Sequence, residues 1–97
     1  EVPLVKGIRD YFETRPELQK VLMVGPGKEG AQLEGSKDFS KQFMVRHGIP
    51  TARAKTFQAS QLADGLTYLS QLTPPIVLKA DGLAAGKGVV IAQSVQE

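Results

Sequence analysis

Residues 76–90 read Ile-Val-Leu-Lys-Ala-Asp-Gly-Leu-Ala-Ala-Gly-Lys-Gly-Val-Val, and this stretch decides the fold of the second half of the chain. Two apolar runs bracket a loop that holds three glycines and Lys87, and Lys79 closes the first run. β-Branched runs on either side of a glycine-rich turn are typical of a hairpin. A backbone without Cβ atoms can approach a polyphosphate and direct N–H groups at its oxygens, while the two ammonium groups offset its charge. The stretch therefore predicts a hairpin suited to a nucleoside triphosphate.

The nearest phosphate-binding template is the P-loop, Gly-x-x-x-x-Gly-Lys-Ser/Thr, and residues 82–88 depart from it. The spacing is one residue short, Gly88 stands where the magnesium-binding hydroxyl belongs, and a strand follows instead of a helix. Strand, loop and strand together favour a flap over the phosphates, as in the glycine-rich loop of protein kinases. A plain hairpin whose glycines only serve turn geometry is the alternative.

A second glycine motif, Gly-Pro-Gly-Lys-Glu-Gly at 25–30, fits the Gly-x-Gly-x-x-Gly pattern of dinucleotide-binding folds. That motif requires a full helix after it and an acidic residue about 20 positions further on. Here Ala31–Glu34 predicts only about one helical turn, and Pro50-Thr51-Ala52-Arg53 has no carboxylate. The pattern favours a tight exit from the last strand of a domain, with an NAD-binding Rossmann module as the alternative.

Outside the hairpin, the apolar spacing predicts an α/β fold. The first expected elements are a helix from Pro3 to Thr14 and a buried parallel strand at Val21–Val24. A helix capped by Ser36 follows, with Gly48 after its end and with Phe39, Phe43 and Met44 on its buried face. The last are a strand at Ala52–Phe57 and a helix capped by Ser60, whose buried stripe is Leu62, Leu66, Leu69 and Leu72.

Composition narrows the class of protein. The chain is 41% hydrophobic and 23% charged, as is usual for a globular domain, and it has neither a membrane-length apolar run nor a signal-peptide pattern. Without cysteine it has no disulfide and no thiolate metal ligand. We expect a cytoplasmic protein. Residues 1–35 hold 5 basic and 6 acidic side chains, and residues 36–97 hold 7 and 4. This bias suits anions near the loop and is too diffuse for nucleic acid.

Three blocks of the chain resemble one known family. They are Lys79–Val90, Ala31–Lys37 and His47–Thr51, in the family's order. The family is phosphoribosylamine-glycine ligase, or glycinamide ribonucleotide synthetase, which has the ATP-grasp fold. The resemblance implies an internal piece of a longer enzyme. Residues 1–35 are expected to end a parallel-sheet, substrate-side amino-terminal domain, and residues 36–97 to begin the ATP-grasp domain with its glycine-loop, nucleotide-binding subdomain.

The resemblance implies an ATP- and Mg²⁺-dependent ligase of purine biosynthesis. Glycine carboxylate attacks the γ-phosphoryl group to give an acyl phosphate, and the amine of 5-phosphoribosylamine then displaces phosphate. The implied ATP-binding residues are Lys37, Lys79, Gly82, Leu83, Ala84, Ala85, Gly86, Lys87 and Gly88. The implied substrate-binding residues are Glu1, Pro3 and Leu4, which match part of the family's Gly-Pro-Glu-x-Pro-Leu turn.

The catalytic residues and metal ligands of the family are expected outside this chain. The 97 residues alone are therefore expected to lack ligase activity and to bind ATP weakly or not at all. Neither a nucleic-acid nor a membrane partner is expected. Another ATP-grasp carboxylate-amine ligase is a close alternative, and a non-enzymatic interaction domain with a purely structural hairpin is a more distant one.

Three polar residues have competing interpretations. Lys37, as the first residue after a helix cap, is an ordinary surface lysine by position alone, and only the resemblance gives it a phosphate. His47 lies in the last turn of a helix, where a cation suits the dipole, so we expect capping and not catalysis. Asp81 is expected to orient the loop through backbone N–H groups, with an approach to a metal as the alternative.

Overall fold

The computed structural model describes residues 1–96, which divide into two units. The first unit comprises Glu1–Thr51 with Asp81–Leu83, and the second comprises Ala52–Ala80 with the chain from Ala84 onward. The helices and strands are α1 (Val2–Lys6), α2 (Ile8–Thr14), α3 (Lys28–Gly35), α4 (Lys37–Arg46), α5 (Leu62–Ser70), β1 (Ile76–Lys79) and β2 (Val89–Ala92), with 3₁₀ turns at Pro16–Leu18 and Ala59–Gln61. Helices together with a small sheet agree with the predicted α/β class. Within residues 1–96, every helix is too short or too polar to cross a membrane.

Gly7 breaks the single helix predicted from Pro3 to Thr14. Its φ of 95° is left-handed, which ends α1 and begins α2 at the next residue. A Cβ at Gly7 would lie 3.4 Å from side-chain atoms of Lys28, so this position is close to the start of α3. The prediction of one continuous helix was wrong because the apolar spacing continues across Gly7, whereas the backbone there is left-handed.

Helix α3 was predicted as about one turn and has eight residues. Its first N–H groups need acceptors, and Asp10 supplies one, since Lys28 N donates to Asp10 Oδ2 at 3.0 Å. A Cβ at Gly27 would lie only 2.8 Å from Asp10 Oδ1, so the absent side chain lets the carboxylate reach the helix. The cap comes from another helix, which explains why the local sequence did not show it.

Helix α1 packs on α3 through small residues. Ala31 is only 4% exposed, and a Cβ at Gly35 would lie 3.0 and 3.1 Å from the two methyl groups of Val5. The two backbones approach closely because glycine stands at this contact. This packing forms the interior of the first unit.

Helix α4 confirms its predicted ends, but the predicted burial of Phe39, Phe43 and Met44 was wrong, since Phe39 is 36% exposed and the other two are half-buried. The Ser36 hydroxyl accepts a hydrogen bond from Phe39 N at 3.1 Å, as an N-cap does. At the other end Gly48 has a φ of 67°, and the ring of His47 lies 4.4 Å from that of Phe43, centroid to centroid. His47 is the C-cap residue through its backbone N–H group, and the predicted role of its ring at the helix dipole stays a prediction.

The strands predicted at Val21–Val24 and Ala52–Phe57 are absent, and both predictions were wrong. A strand requires a neighbouring strand for its backbone hydrogen bonds. Within residues 1–96, neither segment has such a neighbour. Leu22 and Val24 are 96% and 101% exposed instead of buried. An apolar run has the residue types of a strand, but it does not show whether a neighbouring strand is present to pair with it.

The segment before α5 also differs from its prediction. Ser60 lies within a 3₁₀ turn, where Gln58 and Gln61 exchange side-chain and backbone hydrogen bonds as a capping box. Two leucines expected on a buried stripe, Leu62 and Leu66, are 68% and 57% exposed. The helix is present, whereas its predicted cap and the predicted burial of these two leucines were wrong.

The hairpin is confirmed. Strands β1 and β2 pair antiparallel, with Ile76 opposite Ala92 and Lys79 opposite Val89. Ile76 and Ala92 are each 6% exposed, so the far end of the hairpin carries the buried contact of the second unit. The opposite end carries the glycine loop.

Candidate functional site

The tip of the hairpin is a tight turn at Ala84–Lys87. Lys87 N donates to Ala84 O at 2.8 Å, and the two central residues, Ala85 and Gly86, have φ values of 50° and 75°. Positive φ at both central positions is the pattern of a type I′ turn, which matches the twist of the paired strands. The turn therefore continues the hairpin as a defined structure.

Gly88 closes the base of this turn. Ala80 N donates to Gly88 O at 2.7 Å, and Gly88 has a φ of 71°. A Cβ at Gly88 would lie 3.1 Å from that of Ala80 and 3.2 Å from that of Ala84, so a side chain would crowd both neighbours. Glycine is required here by both backbone conformation and space.

The turn leaves polar backbone groups available to a ligand. The N–H groups of Ala85 and Gly86 donate to no acceptor within residues 1–96, and a Cβ at Gly86 would meet nothing within 4 Å. Adjacent N–H groups in left-handed conformations are suited to anions. This backbone has two N–H groups available to donate to an anion.

Two lysines flank the same turn. Lys79 ends β1, and strand alternation places it on the opposite face from the buried Ile76. Lys79 and Lys87 are both exposed, and neither ammonium group forms an ion pair or hydrogen bond within the described part of the chain. Both charges are available to an anion.

Asp81 binds the N-terminus of α4 in the first unit. Its Oδ1 accepts hydrogen bonds from Lys37 N at 2.6 Å and Asp38 N at 3.1 Å, and its Oδ2 accepts one from the Ser36 hydroxyl at 3.0 Å. We call these four residues, Ser36, Lys37, Asp38 and Asp81, the Asp81 cluster. It joins positions that lie 43 to 45 residues apart in the sequence.

These hydrogen bonds set the protonation of Asp81. Desolvation by itself raises the pKa of this exposed carboxyl, but the Asp38 N–H, the Ser36 hydroxyl and the N–H groups of Gly82 and Lys37 stabilise the charged form and bring the pKa below its usual value. A negative charge at a helix N-terminus also suits the helix dipole. Asp81 is ionised at neutral pH.

Lys37 reaches the first glycine of the loop. Its Nζ donates to Gly82 O at 2.8 Å, and Gly82 has a φ of 81°. The structure thus brings together Lys37 and Gly82 of the predicted ATP-binding residues. Leu83 follows in the same unit, whereas Lys79 and residues 84–88 belong to the second unit.

The predicted substrate-binding residues lie at the start of α1. Glu1 and Pro3 are exposed, and a Cβ at Gly25 would lie 3.5 Å from a methyl group of Leu4. Their substrate role stays a prediction.

The role of Asp81 was predicted in part. Bonding to backbone N–H groups was expected, and one such group belongs to Gly82. The other donors, on α4, were missed because no local pattern links residues that far apart. Residues 1–96 contain no group of three or more histidine and carboxylate side chains that is able to hold a metal.

The structure disfavours the dinucleotide alternative. A pyrophosphate bound by the Gly25–Gly30 motif would lie at the N-terminus of α3. The carboxylate of Asp10 already accepts from Lys28 N there, and a second anion at that point would be repelled. The strand that must precede such a motif is also absent.

Comparison with known proteins gives a consistent result. Residues 35–97 match the family described as phosphoribosylglycinamide synthetase, ATP-grasp (A) domain. Over all 97 residues the chain is 50% identical to phosphoribosylamine–glycine ligase of Ralstonia nicotianae, covering 22% of that protein, and 50% identical to the ligase of the same name from Haemophilus influenzae, covering 21%. The chain thus spans about a fifth of the length of these relatives.

A solved structure is also similar. The crystal structure of phosphoribosylamine–glycine ligase from Thermotoga maritima superposes with a TM-score of 0.64 at 35% identity. The superposition covers 91% of this chain and 25% of that one. The described elements therefore occur as part of a larger fold in that protein.

Proposed function

Because the chain belongs to the phosphoribosylglycinamide synthetase family and matches its ATP-grasp (A) domain over residues 35–97, we propose that it is part of an ATP-dependent ligase. The ligase joins glycine to 5-phosphoribosylamine through an acyl phosphate, in purine biosynthesis and in the cytoplasm. Residues 1–35 end its amino-terminal domain, and residues 36–97 begin its ATP-grasp domain. Its ligands are small molecules, with no nucleic-acid or membrane partner.

The observation that carries the proposal is the turn at Ala84–Lys87. It offers unpaired N–H groups between two lysines whose ammonium groups have no partner within residues 1–96. In the proposed site the backbone of residues 82–88 binds the phosphates, and Lys37, Lys79 and Lys87 neutralise them. Glu1, Pro3 and Leu4 contribute to the site for 5-phosphoribosylamine.

Phosphoryl transfer depends on alignment and charge neutralisation more than on covalent help from the protein. An ammonium group about 4 Å from a phosphate oxygen gains on the order of 4 kcal/mol of attraction at an effective dielectric near 20, before desolvation is subtracted. Bound Mg²⁺ supplies further neutralisation of the phosphates, and its carboxylate ligands are proposed to lie outside these residues. The lysines and loop amides hold the γ-phosphoryl group in line with the glycine carboxylate.

A lysine pair tests this proposal in the intact ligase that contains the segment. Lys79→Ala should lower kcat/KM for ATP by roughly 100-fold, the usual cost of losing a group that stabilises transition-state charge. Lys20→Ala is the matched control, because Lys20 is exposed and lies outside the hairpin, and it should change activity less than about twofold. ADP release is followed with and without glycine and 5-phosphoribosylamine.

Three results would contradict the proposal. A rate of ADP release that does not change when glycine or 5-phosphoribosylamine is added would contradict the proposed substrates. Equal activity of the Lys79→Ala and Lys20→Ala proteins would remove the phosphate role of Lys79. Amide product formed in a single-turnover assay by the 97 residues alone would show that the catalytic parts do not lie elsewhere.

A further inference from the structure

Carboxylates bind two helix N-termini in the first unit, and only one of these contacts reaches the glycine loop. Asp10 accepts from Lys28 N at the start of α3. Asp81, the residue before Gly82, accepts hydrogen bonds from Lys37 N and Asp38 N at the start of α4. The sequence places the acceptor of the second contact, Asp81, directly before the proposed phosphate loop at residues 82–88.

The Asp81 cluster fixes the direction of the Asp81 side chain. Oδ1 is held by two N–H groups and Oδ2 by the Ser36 hydroxyl, so both oxygens have donors. The same hydroxyl accepts from Phe39 N, which fixes its own orientation. Rotation of the carboxylate would break at least two of these bonds.

Lys37 is bound to this part of the loop twice. Its backbone N donates to Asp81 Oδ1, and its Nζ donates to the carbonyl of Gly82 at 2.8 Å. These two hydrogen bonds, together with the covalent chain of Lys37 and of Asp81 and Gly82, close a ring. Displacement of the loop start from α4 would break both contacts together.

This ring orients the ammonium group without consuming its capacity to bind an anion. A lysine ammonium has three donors, and Gly82 O takes one of them. Two donors and the full charge remain. The Lys37 side chain loses conformational entropy when the protein folds, so it loses less conformational entropy when an anion binds.

We propose that Asp81 is a positioning residue that holds the start of the glycine loop on the N-terminus of α4 and thereby orients the Lys37 ammonium group toward a nucleotide phosphate. This inference rests on the proposed function for the identity of the ligand. The hydrogen-bonded ring itself is independent of any ligand.

Amide hydrogen exchange in the intact protein, without nucleotide, tests the ring. In Asp81→Asn, exchange at Lys37, Asp38 and Gly82 should become roughly tenfold faster, since local opening costs less once the charged acceptor is lost. Asp10→Asn is the matched control, and it should speed exchange at Lys28 while leaving the other three amides unchanged. Equal exchange at Gly82 in wild type and Asp81→Asn would overturn the proposal.

A second pair of variants keeps the result interpretable if Asp81→Asn folds poorly. Ser36→Ala removes only the hydroxyl and should also speed exchange at Gly82, whereas Ser36→Thr keeps a hydroxyl and should restore it. Exchange at Gly82 that is as slow in Ser36→Ala as in Ser36→Thr would count against the ring.

Binding of a non-hydrolysable ATP analogue, measured by calorimetry, tests the orientation of Lys37. Asp81→Asn should weaken binding by about tenfold when Lys37 is present and by less than about twofold in a Lys37→Ala background, because coupled residues show non-additive effects. Equal weakening in both backgrounds would overturn a role through Lys37. If the unaltered protein binds no analogue, the proposed function fails and the nucleotide-directed role fails with it, while the exchange result still decides whether the ring exists.

Discussion

Lowering the pH should destabilise the first unit through Asp81. The pKa of this carboxyl lies below its usual value in the folded chain, because N–H and hydroxyl donors of the Asp81 cluster favour the charged form. The unfolded chain titrates near the model-peptide value of about 3.9. Asp81 therefore contributes its full stabilisation above that pH, and the contribution is lost as the pH falls through the lower, folded pKa.

The size of the effect follows from the contacts. Besides the N–H group of Gly82, donors on Lys37, Ser36 and Asp38 reach the carboxylate at 2.6, 3.0 and 3.1 Å. Hydrogen bonds to charged groups contribute about 1.5–3 kcal/mol when buried, but Asp81 is exposed and water competes for the same donors. The capping value of about 1 kcal/mol is therefore the appropriate figure. In a domain of this size, about 1 kcal/mol moves Tm by roughly 4–8 °C.

Thermal unfolding followed by circular dichroism between pH 2.5 and pH 7 measures this contribution. Asp81→Asn should be less stable than wild type by about 1 kcal/mol at pH 7, and the gap should narrow as the pH falls below the unfolded value of about 3.9 toward the lower, folded pKa. Asp64→Asn, an exposed aspartate in the first turn of α5, is the control for losing a charge near a helix N-terminus and should change stability by about 0.5 kcal/mol or less. A gap of equal size at both ends of the pH range, or no gap at pH 7, would refute the reasoning.

Glycine substitutions test the packing and the turn by unfolding measurements. Gly35→Ala should destabilise the chain by about 1 kcal/mol or more despite alanine's better helix propensity, because its Cβ would press on both Val5 methyl groups at 3.0 and 3.1 Å. Gly30→Ala in the same helix should cost less, because its Cβ would lie 3.3 Å from a single atom, Pro26 Cβ. A stabilising Gly35→Ala would show that α1 gives way at no cost. Gly86→Ala should cost roughly 1 kcal/mol from its left-handed conformation, and Ala85→Gly should cost nothing or stabilise, since that position is also left-handed. Equal effects of these two turn variants would contradict a type I′ turn.

Two predictions that depended on near neighbours in the sequence succeeded, whereas the Ser60 cap and the unbroken helix through Gly7 did not. Ser36 is the N-cap of helix α4, and its hydroxyl accepts from the N–H group of Phe39, three residues away. The helix ends before Gly48. The hairpin required only β-branched runs and a glycine turn. In each case the residues that form the hydrogen bonds are the residues that make the pattern.

Predictions that required a distant partner failed or were incomplete. Val21–Val24 has the composition of a buried strand, and strand formation requires a neighbouring strand that residues 1–96 do not provide. Helix α3 was underestimated because its cap, Asp10, lies 18 residues away from the N–H group that it accepts. Burial and capping across such separations are properties of packing.

The sequence by itself determined the hairpin, its glycine turn, the capped helix before it and the family to which both belong. Those features arise from backbone preferences and from hydrogen bonds between residues a few positions apart. Only the tertiary structure decided that Asp81 binds the start of α4 and that Lys37 donates to Gly82. These contacts join residues 44 and 45 positions apart, and no local rule specifies them, because their geometry depends on how the chain returns to the same helix end.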